Sequence, residues 1–367
     1  GVERIARQVE AEGVRRLAVV SDEPEKYTGQ ESLFPPGTTF HHRSELDAVQ
    51  RTLREIEGVT CLIYDQTCAA EKRRRRKKGE YPDPDRRIFI NAEVCEGCGD
   101  CGQQSNCLSV LPLETELGRK RQIEQSSCNK DYSCVQGFCP SFVSVEGAKL
   151  KKRVARLGRD KLDELIAHLP QPATHLDEAP YDMLITGVGG TGVVTVGALV
   201  SMAAHLDGMA SSQLDFMGFA QKGGAVLAFI RWARRPDLLN QVRIDTQQAD
   251  LLLACDLVVG ASPDALGTVR RGRTRVVASS HHNPTDKFVR DPDASLHAEA
   301  LIDKLRYAVG ADDDPAALEA VDAYDLALRL LGDSIGANIL LLGYAWQRAL
   351  VPVSLAALER AIELNGV

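Results

Sequence analysis

Seven cysteines fall within one short stretch of this chain, and they constrain its fold more than any other feature. The chain has 367 residues and ten cysteines, seven of them within positions 95–139: Cys95, Cys98, Cys101, Cys107, Cys128, Cys134 and Cys139. No charged and then apolar leader follows Gly1, so we expect no signal peptide and a cytoplasmic location. Because disulfides are rare in a reducing compartment, a metal site is the stronger interpretation of these cysteines.

The first three cysteines have the C-x2-C-x2-C spacing that is typical of iron–sulfur proteins. Thiolates hold iron–sulfur clusters, whereas zinc sites usually arrange four ligands as two pairs, so a third cysteine at this spacing favours iron and sulfide. Nearby glycines would let backbone amides approach the sulfurs: Gly97, Gly99 and Gly102.

A fourth ligand is expected from the Cys139-Pro140 pair. In the bacterial ferredoxin pattern, the cysteine that precedes proline ligates the other cluster from the one that its neighbours hold. We therefore predict one 4Fe-4S cluster on Cys95, Cys98, Cys101 and Cys139. A second centre would have only Cys107, Cys128 and Cys134. It could be a three-iron cluster, a cubane with a ligand other than cysteine, or a site without a cluster.

The three remaining cysteines are interpreted as packing or loop residues. Cys61 and Cys255 lie in apolar segments that predict strands, where a free thiol acts as a small hydrophobic group. Cys68 follows a predicted strand at the end where α/β sheets bind ligands, but packing is still the favoured interpretation.

Charge and hydropathy exclude two general classes of function. Lys and Arg number 44 and Asp and Glu number 51, for a net charge of −7, which argues against a nucleic-acid binder. The apolar runs stay well short of the ~20 residues that span a bilayer, so we expect no membrane partner.

A run of basic residues, 72–78, nevertheless stands out. It predicts a solvated surface, or a docking site for an acidic partner protein or an anionic cofactor. Nucleic acid is a weaker interpretation because no aromatic residues are interleaved with the charges.

The rest of the chain has the pattern of an α/β protein. Helices over 1–13 and 44–58 alternate with strands over 17–22 and 59–65, which predicts a parallel sheet covered by helices. An amphipathic helix over 149–169 and a proline-rich linker over 170–180 precede a second α/β region. There we predict further strands within 212–219, 225–233, 250–260 and 275–280, and helices within 262–270, 295–309, 314–331, 334–350 and 354–366.

A glycine-rich turn opens this second α/β region. Residues 187–192 fit G-x-G-x-x-G between a strand and a helix, a context that suits an anionic group at the helix N-terminus. The residues concerned are Gly187, Gly189, Gly190, Thr191 and Gly192, together with a second turn of Gln221, Lys222, Gly223 and Gly224. A dinucleotide would also need an acidic residue ~20 positions further on, for which Asp207 and Asp215 are candidates. Glycines required only for helix–strand packing are the alternative.

Two histidine pairs, His41-His42 and His281-His282, are expected in polar loops. Adjacent residues do not face one site, so we interpret both pairs as surface residues.

Several stretches together resemble one known family. The sequences INAEVCEGCGDCGQQSNCLSV and IEQSSCNKDYSCVQGFCPSF are similar to the cluster region of long, fused indolepyruvate:ferredoxin oxidoreductases, and LIYDQTCAAEKRRRRKKGEYPDP is similar to the segment that leads into it. LITGVGGTGVVTVGALV and LDFMGFAQKGGAVLAFIR resemble the gamma domain of the wider thiamine-dependent 2-oxoacid:ferredoxin oxidoreductase superfamily.

The resemblance implies a multidomain α/β protein. Residues 1–84 would be the C-terminal part of a thiamine-diphosphate-binding α/β domain, and 85–148 a ferredoxin-like iron–sulfur insert. Residues 149–180 would be a helix and linker, and 181–367 a Rossmann-like parallel α/β gamma domain. The family has a single, much longer chain, and no Gly-Asp-Gly of the thiamine diphosphate signature occurs here. We therefore interpret the chain as an internal fragment that does not turn over substrate alone.

The resemblance also implies an activity. The complete enzyme would oxidatively decarboxylate indolepyruvate and other arylpyruvates to acyl-coenzyme A, with thiamine diphosphate and Mg²⁺ as cofactors and coenzyme A as co-substrate. Electrons would pass through one or two 4Fe-4S clusters to ferredoxin. The partners would be ferredoxin, the remaining thiamine-domain portion and further copies of the same chain.

Two alternatives remain at this point. One is a flavin- or NAD(P)-dependent iron–sulfur oxidoreductase with its dinucleotide at residues 187–192, which binding of NAD(P)H or flavin would reveal. The other is a non-catalytic docking or assembly protein, which an absence of iron and sulfide would favour.

Overall fold

The computed structural model describes residues 1–147, 159–173, 176–218, 224–281, 286–295 and 297–366. The helix predicted for 149–169 and the turn predicted for 221–224 therefore lie partly outside the described residues. The chain divides into two compact units, Gly1–Pro82 and Asp83–Val367. The division into four domains stays a prediction.

The smaller unit is a three-stranded parallel sheet with helices on both faces. Its elements are α1 (Val2–Ala11), β1 (Arg16–Ser21), β2 (Thr39–His42), α2 (Leu46–Arg54), β3 (Thr60–Asp65) and α3 (Ala69–Lys77), with the strand order β2-β1-β3. Leu17 and Val19 of β1 pack with Ala6 of α1, whereas Ala18 and Val20 pack on the opposite face with α2. The helices and strands predicted for this region are confirmed.

Strand β2 corrects the prediction that His41 and His42 lie in a polar loop. The two residues pair in parallel with Val20 and Ser21 of β1. The polar sequence of this edge strand carries no apolar alternation, so only its pairing with β1 reveals it. His42 then ends the strand, and its ring Nδ1 accepts a hydrogen bond from the Ser44 N–H.

The cysteine-rich segment has little regular structure. It contains β4 (Arg87–Ile90), α4 (Asp100–Ser105), β5 (Val110–Thr115), β6 (Gly118–Ile123) and β7 (Phe142–Val145). Strands β4 and β7 form one antiparallel pair, and β5 and β6 form another. The seven cysteines lie on the loops and short helices that these two ribbons hold in place. Helix α5 (Arg159–Ala167) follows this segment.

A six-stranded mixed sheet organises the rest of the larger unit. Its elements are β8 (Tyr181–Val188), α6 (Val193–Leu206), β9 (Ala210–Met217), β10 (Ala225–Ala233), β11 (Leu251–Ala254), α7 (Leu257–Gly260), α8 (Pro263–Thr268), β12 (Arg275–Ser279), α9 (Asp286–Arg290), α10 (Ala298–Val309), β13 (Leu318–Val321), α11 (Ala323–Leu330), α12 (Ala337–Gln347) and α13 (Leu355–Asn365). The strand order is β13-β12-β11-β8-β10-β9. Strands β8, β11, β12 and β13 are parallel, but β10 runs antiparallel to both of its neighbours.

Three predictions for this sheet need correction. The antiparallel β10 makes the sheet mixed rather than fully parallel. The apolar run 251–260 is a strand only as far as Ala254, because the Asp256 carboxylate caps α7 by accepting a hydrogen bond from the Val259 N–H at 3.0 Å. The segment 314–331 is predicted as one helix, but its first part is strand β13, which pairs in parallel with Val276–Ser279 of β12. Helix α11 forms only the second part.

Both faces of the sheet are buried beneath helices. The side chains of Met183 and Ile185 on β8 enter one core cluster, and that of Leu184 enters the other. This double burial explains the continuous apolar sequences of the central strands. In the part of the chain that the structure describes, no helix combines the length and the hydropathy needed to cross a membrane.

Candidate metal centre

A loop of tight backbone geometry presents the first three cysteines. Cys95 is buried, and its Sγ accepts a hydrogen bond from the Gly97 N–H at 3.4 Å. Gly97 and Gly99 have φ angles of +74° and +83°, which only glycine adopts readily. The loop then enters α4, which carries Cys101 in its first turn.

The thiols of this loop are close enough to influence one another. Burial raises the pKa of Cys101 to about 11; the guanidinium of Arg121 opposes this rise, and Cys95 and Cys98 add to it. These interactions indicate that the three thiols of the loop are neighbours.

A second group of thiols lies further along the chain. Burial raises the pKa of Cys134 to about 12, and Cys107 and Cys128 raise it further. The Sγ of Cys128 accepts a hydrogen bond from the Lys130 N–H at 3.5 Å. The two groups are adjacent, since Cys101 also acts on Cys134. Their role as ligands stays a prediction.

Backbone hydrogen bonds at the β4–β7 ribbon link the segments that carry Cys95 and Cys139. The Asn91 N–H, just after β4, donates to the Ser141 carbonyl at 2.8 Å, and the Cys95 N–H donates to the Asn91 carbonyl at 3.0 Å. Cys139 itself lies at the entry to β7, with its Sγ 3.0 Å from Ser141 Oγ. The ribbon therefore pairs parts of the sequence that are about 50 positions apart, and Cys139 as a ligand stays a prediction.

Among the described residues, no three His, Cys, Asp or Glu side chains converge so that they could share one ion. The ligand sets expected from the cysteine spacing therefore stay predictions.

The other three cysteines lie apart from this segment. Cys61 packs against the core of the smaller unit, and Cys255 packs against one core of the six-stranded sheet. Burial raises the pKa of Cys255 to about 12, with Asp256 contributing. Cys68 is exposed and immediately precedes α3, so it is a loop residue rather than a core residue.

The basic residues 72–78 form most of α3 and its C-terminus. Arg74 and Arg75 pair with Glu71 of the same helix, and Lys72 reaches Asp22 at 3.5 Å. Arg74 and Arg75 are exposed. The run therefore forms a partly paired, solvated helix surface.

Hydrogen bonds join the cysteine segment to the domain of the six-stranded sheet. Nη1 of Arg119 on β6 donates to the Ala294 carbonyl at 2.7 Å, and Nη2 of Arg121 donates to the Pro292 carbonyl at 3.3 Å. Ser126 Oγ lies 3.1 Å from Ser334 Oγ. The segment is thus part of the same compact unit as the sheet.

The glycine turn lies at the carboxyl end of β8. A Cβ on Gly187 would approach Val193 Cγ2 to 2.6 Å, so this glycine serves the packing of β8 against α6. Gly190 and Gly192 have φ angles of +87° and +95° with open space around them. Gly192 precedes α6 without a side-chain cap, while the Thr191 carbonyl accepts a hydrogen bond from Asn338 at 2.9 Å. The turn thus combines a packing role with an open face that suits an anion.

The second glycine turn is only partly visible. Gln221, Lys222 and Gly223 lie outside the described residues. The Gly224 carbonyl accepts a hydrogen bond from the Gly189 N–H at 2.7 Å, so the two turns are neighbours.

Neither acidic candidate for a dinucleotide lies beside the turn. Asp207 is engaged elsewhere, since its carboxylate accepts hydrogen bonds from the N–H and Oγ of Ser354 at 2.6 and 2.7 Å. Asp215 lies on β9, level with Ile185 of β8 but separated from it by β10. With neighbouring strands ~4.8 Å apart, its strand is about 10 Å from that of the turn. This geometry does not favour the dinucleotide alternative.

His281 lies in a loop, as predicted, but it is half-buried rather than a free surface residue. It follows β12, and its ring stacks on that of Tyr324 at 3.8 Å between centroids. Its neighbour His282 lies outside the described residues.

The family described as pyruvate ferredoxin/flavodoxin oxidoreductase matches residues 182–365, half of the chain. The chain belongs to this family. The gamma subunit common to pyruvate and ketoisovalerate oxidoreductases of Thermococcus litoralis is 29% identical over 179 residues, covering 48% of this chain and 82% of the relative. Its counterpart in Pyrococcus furiosus is 30% identical over 177 residues, with the same coverage.

Solved structures of related proteins align with a similar share of the chain. The pyruvate oxidoreductase subunit PORC of Thermotoga maritima has 20% identity and a TM-score of 0.36, covering 51% of this chain and 85% of its own. A gamma subunit of a keto/oxoacid ferredoxin oxidoreductase of Geobacter sulfurreducens has 21% identity and a TM-score of 0.33, covering 50% and 83%. The family match over residues 182–365 and the two curated relatives support the 2-oxoacid:ferredoxin oxidoreductase superfamily expected from the sequence.

Sequence reasoning missed one residue of this site. Arg121 lies in the polar sequence GRKRQI of β6, yet its side chain is buried beside the first cysteine group. Its sequence context is that of an exposed basic strand, so only the fold reveals its position.

Proposed function

We propose that this chain is the electron-relay and gamma-domain portion of a 2-oxoacid:ferredoxin oxidoreductase of the long, indolepyruvate-oxidising type. One observation carries the proposal: the cysteine segment and the domain that matches the family fold as one compact unit, joined through Arg119 and Arg121. An electron carrier fixed against a catalytic domain is the arrangement that transfer from substrate to ferredoxin requires.

The residues of the segment fit an iron–sulfur cluster. The donor set is entirely thiol, and backbone N–H groups of Gly97 and Lys130 donate to two of the sulfurs. Such donors stabilise thiolates and the clusters bound to them. Cys95, Cys98, Cys101 and Cys139 would hold one cubane, and Cys107, Cys128 and Cys134 would contribute to a second centre. A bound cluster supplies one-electron transfer.

The protein itself provides burial and orientation. Cys95 is 7% exposed, so its loop keeps water away from that ligand. Low exposure strengthens the effect of each nearby charge and amide dipole on a cluster. The loop geometry set by Gly97 and Gly99 orients the sulfurs that these dipoles address.

The remaining parts of the reaction would lie on other protein segments. Thiamine diphosphate and Mg²⁺ would be held by the thiamine-domain portion, and coenzyme A would accept the acyl group. The solved 2-oxoglutarate:ferredoxin oxidoreductase of Magnetococcus marinus has coenzyme A bound. It is 14% identical to this chain, with a TM-score of 0.37, and the alignment covers 52% of this chain and 27% of that enzyme chain. We propose ferredoxin as electron acceptor, and further copies of this chain as partners.

The decisive experiment is anaerobic analysis of iron and sulfide per chain, with the electron spin resonance spectrum of the dithionite-reduced protein. We expect about four iron and four sulfide ions for each cubane, and a loss of one signal in Cys98→Ala. Cys68→Ala, which alters an exposed cysteine outside the segment, is the matched control and retains full content. A protein reconstituted anaerobically that takes up no iron and sulfide contradicts the proposal.

Substrate choice needs a separate experiment. With the thiamine-domain portion, thiamine diphosphate, Mg²⁺ and coenzyme A added, we expect ferredoxin reduction with indolepyruvate to exceed that with pyruvate or ketoisovalerate. The chain without that portion should be inactive. Preference for pyruvate or ketoisovalerate would reject the arylpyruvate assignment while leaving the electron-relay role intact.

A further inference from the structure

Arg121 is a buried cation beside the first cysteine group. Its side chain is 2% exposed, although it lies on a two-stranded ribbon in which most residues reach solvent. Placing a charge out of water is costly unless an opposite charge or several hydrogen bonds compensate it. The groups around this guanidinium therefore indicate which charge it compensates.

The partners of Arg121 are neutral. Nη1 donates to the Lys120 carbonyl at 3.1 Å, Nη2 donates to the Pro292 carbonyl at 3.3 Å, and the guanidinium lies over the Phe288 ring, 4.4 Å from its centroid. Within the ranges that the structure describes, no carboxylate forms an ion pair with it. Two carbonyls and a ring face orient the guanidinium but do not neutralise it.

The cysteine loop lies directly against this guanidinium. Nη2 of Arg121 lies 3.5 Å from the position that a Cβ would occupy on Gly99, between Cys98 and Cys101. Burial lowers the pKa of Arg121, and Cys101 and Cys95 are the leading groups that oppose this change. The other charged neighbours are Arg119, which pairs with Glu114, and Asp293.

We propose that Arg121 is a positioning residue that stabilises the reduced state of a cluster bound through Cys95, Cys98 and Cys101, and so raises its reduction potential. This inference rests on the proposed iron–sulfur function. Reduction adds one electron to the cluster, and a fixed cation close to the ligands favours the more negative state. Because Arg121 and Cys95 are both buried, solvent screens the interaction between them weakly.

The test compares Arg121→Gln with Arg121→Lys in the 367-residue chain. The midpoint potential is measured by a dithionite titration, following the electron spin resonance signal that Cys98→Ala abolishes. We expect Arg121→Gln to retain iron and sulfide but to favour the reduced state about tenfold less, a shift of about 59 mV to lower potential for one electron. Arg121→Lys retains the charge and should stay closer to the wild-type potential.

Arg119→Gln is the matched control. Arg119 lies on the same strand and, like Arg121, donates to the Pro292 carbonyl, but it is paired with Glu114. We expect its shift to be smaller than that of Arg121→Gln. An iron-loaded Arg121→Gln variant with an unchanged potential overturns the inference. If this variant takes up no iron, Arg121→Lys decides: a wild-type potential supports the inference, and a tenfold shift or failure to load rejects it. Wild-type protein without iron would instead reject the proposed function itself.

Discussion

The α-carbon of Gly97 lies against the carbonyl oxygen of Arg119, so closely that a Cβ on residue 97 would overlap this oxygen. The contact joins the loop of the first three cysteines to strand β6. It also explains why glycine is needed at a position that the sequence pattern alone assigns only to amide–sulfur geometry. The backbone of β6 is rigidly paired with β5, so the loop would have to move.

Gly97→Ala should therefore damage the cysteine site. We expect a destabilisation of about 1–3 kcal/mol from overpacking, with strain at a φ of +74° in addition, and a clear loss of bound iron. Gly102→Ala is the control, since a Cβ there meets no atom within 4 Å. Iron and sulfide analysis after anaerobic reconstitution checks this, and equal contents in both variants would contradict it.

A buried ion pair should stabilise the six-stranded sheet only as long as both partners are present. Arg231 Nε lies 2.6 Å from Asp182 Oδ1, and both side chains are almost fully buried. Arg231→Met leaves the carboxylate unpaired, so we expect a loss of about 3–5 kcal/mol in the free energy of unfolding. Denaturant titration measures it. The exposed pair of Arg360 and Glu363 provides the control, with Arg360→Ala costing under about 1 kcal/mol.

Asp207 should prove to be a structural residue rather than a ribose ligand. Its carboxylate accepts two hydrogen bonds from Ser354, which begins α13. Asp207→Ala is expected to lower stability by about 0.5–2 kcal/mol, a magnitude typical of lost helix-terminus contacts. Binding of NADPH, measured by calorimetry, should be equally weak in the variant and in the wild type. A loss of measurable affinity on substitution would restore the dinucleotide alternative.

The Cys255 thiol should make stability fall at alkaline pH. Burial raises its pKa to about 12, above the ~8.5 of an unfolded chain, so the folded state retains a proton that the unfolded state releases. The contribution of this thiol to the free energy of unfolding is fully present below pH ~8.5 and is lost as the pH rises toward 12. Cys255→Ala should therefore show a shallower decline of the unfolding free energy between pH 9 and 11. Parallel declines in the two proteins would reject this interpretation.

Local sequence patterns predicted the central strands of the six-stranded sheet, both faces of which are covered by helices, and the elements next to them in sequence. The apolar run of β8, the turn at 187–192 and the start of α6 follow one another in sequence, and each is recognisable from its neighbours. The same holds for the cysteine spacing 95–101. The edge strands β2 and β13 escaped prediction because a short strand at a sheet edge owes its conformation to its partner, here β1 and β12.

The cysteine site, like the fold, could be predicted from the sequence only in part. Spacing alone set the seven cysteines apart as one segment and predicts Cys139 as the fourth ligand of Cys95, Cys98 and Cys101. It could not indicate that the polar strand β6 turns Arg121 inward beneath Phe288 and Pro292, since these residues lie about 170 positions further along the chain. Nor could it show that Asp207 is engaged by Ser354, 147 positions away.

The sequence by itself determined the chemistry available to this protein: a thiol-rich segment, an α/β domain with an open glycine turn and a family resemblance. Tertiary structure alone decided which charges surround the thiols and how the segment is held against the sheet. The physical reason is that thiol spacing and backbone propensity act over a few neighbouring residues. The electrostatic environment of a buried group, in contrast, is set by whatever the fold places within a few ångströms of it.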